Sequence, residues 1–365
     1  MGDWRSPVLP FLVFAVGCNS VFGIRSTTLV DAPGPDAAFD KTNVVFVTST
    51  VQRPVFSNGL ADADRICAER AQAAHLAGSD MPGAYVAYLA LNGATGADRL
   101  VGARGWSRPD GRPVADLPSD LVAGNLYNPP RLDETGADVE SGDVVATGEG
   151  SQHCSYYTDP MGSVSIGRPY DTSATWHLAA AISCMSPMHL YCFGVSLDVP
   201  LVVTPAAGRR AFVTLSSFTP TGGIAAADAL CDQDGAASPG TYHALLATST
   251  AGAIAPGRFS LTGANWVRPD GIPVAASPQA FAEGRWVTSL GVYADGAHVG
   301  GNTVTFTGVP DPAASLTAPG SNSCSDWTAS GGSGATVGLA DASDKTAVDN
   351  FTSVCTPAQL YCLEP

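Results

Sequence analysis

The chain has 365 residues, 18 Lys plus Arg against 33 Asp plus Glu, and a formal net charge of −15. So acidic a chain, with only two lysines (Lys41 and Lys345), is a poor partner for nucleic acid, heparin-like polyanions or anionic membrane surfaces. A hydrophobic share of 45% excludes a disordered chain, and nine cysteines are too many for an ordinary reduced cytosolic protein.

In chain order, residues 1–17 read as an export signal: Arg5 precedes the apolar stretch 6–17, which is too short to span a bilayer. The tail Ala15-Val-Gly-Cys18 resembles a bacterial lipobox, which implies cleavage before Cys18 and lipid attachment to it. Residues 18–42, with Pro33-Gly-Pro35, read as a flexible tether. The expected location is therefore outside the cytoplasm, in the cell envelope, on the outer membrane or cell surface, with the lipid as the membrane contact.

The other eight cysteines form two sets of four, Cys67, Cys154, Cys184, Cys192 and Cys231, Cys324, Cys355, Cys362, spaced 87, 30, 8 and 93, 31, 7. Landmarks between them repeat in order. Trp106-Ser-Arg-Pro-Asp-Gly111 answers Trp266-Val-Arg-Pro-Asp-Gly271, and Leu190-Tyr-Cys192 answers Leu360-Tyr-Cys362. Such ordered agreement marks a duplication, giving module 1 at 43–194, a linker at 195–209 and module 2 at 210–365. Val44–Ser49 and Ala211–Leu215 read as opening strands, and Leu60–Leu76 as a helix whose Leu60, Ala63, Cys67 and Ala74 share a face. Residues 83–91 and 240–247 read as buried strands, and each Pro-Asp-Gly as the turn of a hairpin after a core Trp. The fold class is α+β. Four cysteines per module allow three pairings, and spacing does not choose among them.

The order helix-Cys, Trp-x-x-x-Asp-Gly-x-Pro, Cys-x-x-Trp/Tyr and two closing cysteines resembles the C-type lectin fold. Residues 59–67 with 83–89, and Ser323-Cys-Ser-Asp-Trp-Thr328, are similar to the endostatin domain of collagens. The chain most resembles a domain of bacterial lipoproteins carrying Cys-x-Asp-Trp-Thr and Leu-Tyr-Cys-Phe-Glu, over 43–194 and 210–365. That resemblance implies tandem C-type-lectin-like, endostatin-like modules with nested disulfides: Cys67–Cys192, Cys154–Cys184, Cys231–Cys362 and Cys324–Cys355.

Chemistry is sparse in the sequence. The cysteine spacings are not those of zinc sites, and the six histidines do not repeat between modules. The endostatin zinc histidines and arginine-rich face have no counterpart. The oxygen ligands that calcium-dependent lectins place before the third cysteine are missing or displaced. Two acidic groups remain, Asp133, Glu134, Asp138, Glu140, Asp143 in module 1 and Asp341, Asp344, Asp349 in module 2. The plain reading of each is a solvated loop, and the sharper one a weak Ca²⁺ site, the sole cofactor considered. Tyr156, Tyr157, Asp326 and Trp327, beside the second cysteine of each set, are candidate ligand contacts. No nucleophile elbow, phosphate loop or metalloprotease motif occurs. The expectation is a non-catalytic surface protein binding a protein or glycan ligand through loops, with an envelope spacer or a hydrolase as alternatives.

Overall fold

The computed structural model describes residues 42–91, 93–238, 240–309, 315–332 and 334–365. Cys18, the expected signal and all of the tether but Thr42 lie outside them. The run Val44-Val-Phe-Val47 is apolar without alternation, which suits a strand covered on both faces, and it forms β1 (Asn43–Val47), buried throughout. The remaining strands of module 1 are β2 (Tyr85–Ala87), β3 (Trp106–Ser107), β4 (Pro113–Ala115), β5 (Val145–Ala146), β6 (Ser163–Gly167), β7 (Ala180–Ser183) and β8 (His189–Gly194). Their order is β4-β3-β1-β8-β5-β6-β7, mixed parallel and antiparallel, with β2 also paired to β8. Module 2 repeats the plan with β9 (Arg209–Val213), β10 (His243–Ala244), β11 (Trp266–Val267), β12 (Val304–Phe306), β13 (Gly334–Leu339), β14 (Phe351–Val354) and β15 (Gln359–Leu363). Its order is β11-β9-β15-β12-β13-β14, with β10 on β15. The architecture is α+β, two mixed sheets with few helices.

The closing strand changes partners along its length. Residues 191–193 of β8 pair with β1, while His189 and Leu190 pair with β5. In the same way β15 pairs with β9 through residues 361–363 and with β12 through Gln359 and Leu360. The sheet therefore forks after the second residue of each closing strand.

The first helix spans Leu60–Ala73, shorter than expected, because His75 adopts a left-handed backbone (φ 53°). Its buried residues are Ala63, Cys67 and Ala71, so Ala71 takes the place expected for Ala74. A matching helix, Gly223–Asp234, buries Ala227 and Cys231. Each helix is bridged to the closing strand by Cys67–Cys192 or Cys231–Cys362, and the inner bridges are Cys154–Cys184 and Cys324–Cys355. These are the pairs named from the resemblance. Disulfides in this number belong to an oxidising, extracytoplasmic compartment. Among the described residues no helix is long and apolar enough to cross a membrane.

After each inner cysteine the backbone makes a turn of left-handed helix. Cys154, Ser155, Tyr156 and Tyr157 have φ of 48–63°, and Cys324, Ser325, Asp326 and Trp327 have φ of 50–65°. For L-residues this conformation costs roughly 1–2 kcal/mol each. Buried hydrogen bonds hold it in both modules. Tyr157 Oη donates to Ala90 O (2.6 Å), and Trp327 Nε1 donates to the matching Ala247 O (2.8 Å). Glycine is required at one further place in both copies, since a Cβ on Gly167 or Gly338 would lie 1.8 Å from a carbonyl oxygen of the following 3-10 turn.

The two modules lie in one compact unit. The linker is not a free spacer: Val195 N donates to Ala84 O (2.8 Å), Leu201 N to Asp116 Oδ1 (2.7 Å) and Ala206 N to Gly271 O (2.9 Å). At the seam Thr172 N donates to Asp341 O (2.9 Å) and Ser343 N donates to Tyr170 O (3.0 Å), around an antiparallel bridge of Asp171 with Ala342. Thr172 and Ser343 occupy the same position before the 3-10 turns Ala174–Trp176 and Lys345–Ala347, so the two bonds are reciprocal. Arg108 and Arg268, the arginines of the repeated Arg-Pro-Asp-Gly, are both buried and each pairs with the Asp two residues on. Arg108 also donates to Val287 O across the seam (3.3 Å), and Arg268 to Leu126 O (3.5 Å).

Asp341 is corrected by this arrangement. It is fully buried, accepting at Oδ2 from Ser173 Oγ (2.5 Å) and Thr175 Oγ1 (2.6 Å), and belongs to no solvated loop. The strand β13 ends just before it and delivers it to the seam. Asp171 is buried beside it, with Arg168 Nη1 3.7 Å from Oδ2 and no hydrogen bond to that oxygen. Burial first, and the nearby Asp341 second, hold the Asp171 carboxyl well above the usual aspartate range. An acid whose pKa rises on folding keeps its proton more tightly in the native state. Its unfavourable effect is absent at low pH and grows as pH climbs from 3.8 through the raised value. Asp171→Asn is therefore expected to raise the thermal midpoint at pH 8, leave it nearly unchanged at pH 3, and flatten the profile between. A variant curve parallel to the parent would refute the assignment.

Candidate functional site

Each fork in a sheet opens a cleft. In module 1 the cleft measures about 510 Å³ and is lined by Ser49, Thr50 and Val51 after β1, by Asp133, Asp138, Glu140 and Asp143, and by His189. In module 2 the equivalent cleft measures about 370 Å³, with Ser217 after β9, Thr303 before β12 and Gln359 in the corresponding places. Phe351, Val304 and Pro357 give the second cleft an apolar wall. The frame is common to both, but the lining is not.

His189 is placed by its position as the first residue of β8, where the strand leaves β1 for β5. Its ring is buried, with Nδ1 2.5 Å from Thr48 O and Nε2 3.1 Å from Asp143 Oδ2. A carbonyl oxygen only accepts, so Nδ1 donates to Thr48 O and Nε2 faces the carboxyl of Asp143. In module 2 Gln359 reaches Tyr293 Oη instead (Nε2 to Oη 3.3 Å). The first module thus has an acidic cleft with a histidine floor, and the second an uncharged one.

The acidic residues named from the sequence divide when placed. Asp133, Asp138, Glu140 and Asp143 meet at the cleft, as their spacing suggested. Asp133 Oδ1 closes its own loop, accepting from Thr135 N (2.8 Å) and Ala137 N (3.0 Å), and Asp138 pairs with Arg131 (2.8 Å). Glu134 is buried and structural, accepting from Ser49 N (2.8 Å) and Ser49 Oγ (2.5 Å) with Arg70 at 3.6 Å. In module 2 Asp344 caps the turn Lys345–Ala347 and accepts from Ser141 Oγ (2.6 Å), while Asp349 N donates to Lys345 O (3.0 Å) behind that turn. Among the described residues no group of three or more His, Cys, Asp or Glu is placed to hold a metal ion. The reason in module 1 is that amide, guanidinium and imidazole donors already engage Asp133, Asp138 and Asp143.

The four candidate contacts also divide. Tyr157 and Trp327 are fully buried and anchor the left-handed turns, so neither presents a surface. Tyr156 is half exposed and packs on the His153 ring at 4.9 Å. Asp326 is held by Ser249, whose N (2.7 Å) and Oγ (2.6 Å) donate to it, and by Ser323 Oγ (2.9 Å); these bonds keep its carboxyl below the usual range. Only Tyr156 stays open to a ligand.

One cluster escaped the sequence reading. Tyr88, Glu149 and His177 meet in the core of module 1, all buried, with His177 Nδ1 3.6 Å from Glu149 Oε1 and Gly96 N donating to that oxygen (2.9 Å). Tyr88 Oη and both His177 nitrogens have no hydrogen-bond partner. Burial first, and Glu149 second, push the Tyr88 hydroxyl up. Shared backbone hydrogen bonds place Leu245, Val309 and Val348 at the same three positions of module 2. The available signal was that histidines failed to repeat in a chain whose frame did.

No family of known proteins matches the chain, and no curated protein matches it.

Proposed function

We propose that the chain is an exported, lipid-anchored protein of the cell envelope whose two C-type-lectin-like, endostatin-like modules bind a protein or glycan ligand without catalysis. The observation that carries this reading is the pair of clefts at the same sheet fork. The frame around them is repeated to the level of single hydrogen bonds while the lining has diverged from acidic to uncharged. A scaffold that keeps its core and varies its openings is suited to recognition. A spacer would place no such demand on the cleft floors. The nested bridges and the paired first and last strands support the lectin-like assignment, and the lipobox-like Ala15-Val-Gly-Cys18 supports the anchor.

Four carboxylates around His189 suit a ligand that brings a positive charge or several hydroxyl donors. The reading invokes no resident cofactor, and calcium enters as an arm of the test. A glycan and matrix-protein array, run with and without millimolar Ca²⁺, is expected to show ligands whose signal falls at least tenfold in Asp138→Ala/Glu140→Ala. Both side chains are exposed in the cleft, and because Asp138 also pairs with Arg131, retention of native circular dichroism by the variant is part of the readout. Arrays blank for the intact chain, or signals unmoved by the cleft variant, would favour the spacer. A Cys18→Ser variant that partitions into detergent like the parent would remove the anchor.

A further inference from the structure

We propose that the seam is a self-association surface belonging to the module itself. The chain is then a dimer of modules whose two partners are joined by a linker, and the partner that fits either face is another copy of the same module.

The first support is reciprocity. Thr172 N to Asp341 O and Ser343 N to Tyr170 O exchange equivalent groups around the bridge between Asp171 and Ala342, themselves equivalent residues. The arginines also cross the seam, Arg108 reaching Val287 O and Arg268 reaching Leu126 O, acceptors that stand one position apart in the repeat because the counterpart of Val287 is Tyr127. A contact in which each side presents the same patch to the other is the mark of a two-fold homodimer interface, whereas two beads packed together by a tether have no reason to meet symmetrically.

The second support is the repeated hairpin. A turn needs Pro-Asp-Gly but not the arginine before it. Both copies nevertheless keep Arg, bury it, fix it against the Asp of its own turn, and aim it over the seam. Its donors lie in the planar fork that lets one guanidinium serve a carboxylate and a carbonyl together.

The third is the character of the seam. All four disulfides lie within modules, and no apolar cluster among the described residues draws on both. Each module thus closes its own core, and the seam is built from buried polar groups, as in interfaces between proteins that also fold apart. The consequence for recognition is a fixed two-fold relation between the acidic and the uncharged cleft, held by the seam and not by linker length.

The test cuts the linker and leaves the rest of the chain intact. A protease site is placed at Val202, which is 84% exposed, and the folded chain is cleaved without reductant. The halves are expected to co-elute as one species of full mass at 1 μM, on the order of the affinity expected of a polar interface of modest size. In Arg108→Ala/Arg268→Ala, cleavage is expected to release two separate halves, each retaining its disulfides and native circular dichroism. Parent halves that separate at that concentration would overturn the proposal, because the linker alone would then hold the pair. Variant halves that stay together would overturn the part assigned to the arginines. Halves that lose native circular dichroism on release would show that neither is an independent partner, and would overturn it as well.

Discussion

Replacing Cys67 and Cys192 with alanine is expected to lower the stability of module 1 by about 5 kcal/mol, since the bridge closes a loop of 125 residues in the unfolded chain. The inner pair Cys154–Cys184, with a separation of 30, is expected to be worth about 3.5 kcal/mol on the same chain-entropy reasoning. Its net value should be smaller still. It holds four residues with positive φ, and releasing them recovers part of the backbone strain. Because the two modules have separate apolar clusters, urea unfolding should show the module 1 transition moving alone. Intrinsic fluorescence serves as the readout, with the module 2 transition as an internal reference. An inner-pair variant that loses more than the outer-pair variant would overturn the ranking.

The second large effect lies in the buried polar cluster. Glu149→Val alone takes the carboxylate away from beside His177 in the core, and His177→Val alone takes the imidazole away from Glu149. Each is expected to cost about 3 kcal/mol, the penalty for stranding one member of a buried pair. The triple change Tyr88→Leu/Glu149→Val/His177→Val installs the residues module 2 already carries. It should recover most of the single losses, because the two side-chain partners leave together and the buried Gly96 amide alone loses its acceptor in the cluster. The experiment is a thermodynamic cycle by chemical denaturation. If the triple variant loses the sum of the single losses, the cluster is not a coupled unit.

What could be read in the sequence was whatever occurs twice. The cysteines, Trp106 and Trp266, the Pro-Asp-Gly turns and the closing strands are repeated, and the structure gives each of them a part in the frame. Repetition did not disclose that Arg108 and Arg268 face across a seam, because a hairpin reading accounts for Pro-Asp-Gly and leaves the arginine looking like a solvated neighbour. Linear spacing also misled for Asp341. It stands three residues from Asp344, yet the end of β13 buries it against the other module while Asp344 caps a turn. The clefts were half legible. Four acidic residues of one segment do meet, but His189 comes from the far end of the module, and only the change of strand partners brings it there. Tyr88, Glu149 and His177 are 61 and 28 residues apart and obey no period, so nothing short of the fold could assemble them.

The pairing of first and last strands has a mechanical consequence. Asn43 and Gly194 lie at the same end of module 1, on neighbouring antiparallel strands, so a pull on the two ends opens β1 from β8 one hydrogen bond at a time. That unzipping stops early. From Asn43 to Cys67 is 24 residue steps, about 80 Å of extended chain, and then the load passes through a covalent bond directly to Cys192 in the closing strand. Strands β2 to β7, the inner bridge and the acidic side of the cleft lie in the loop that this bond shields from tension, while β1 and the cleft residues Ser49, Thr50 and Val51 lie in the leash. A module stretched between a membrane and whatever it holds would lengthen by that leash, lose the Ser49–Val51 wall of its cleft and keep the rest of its frame.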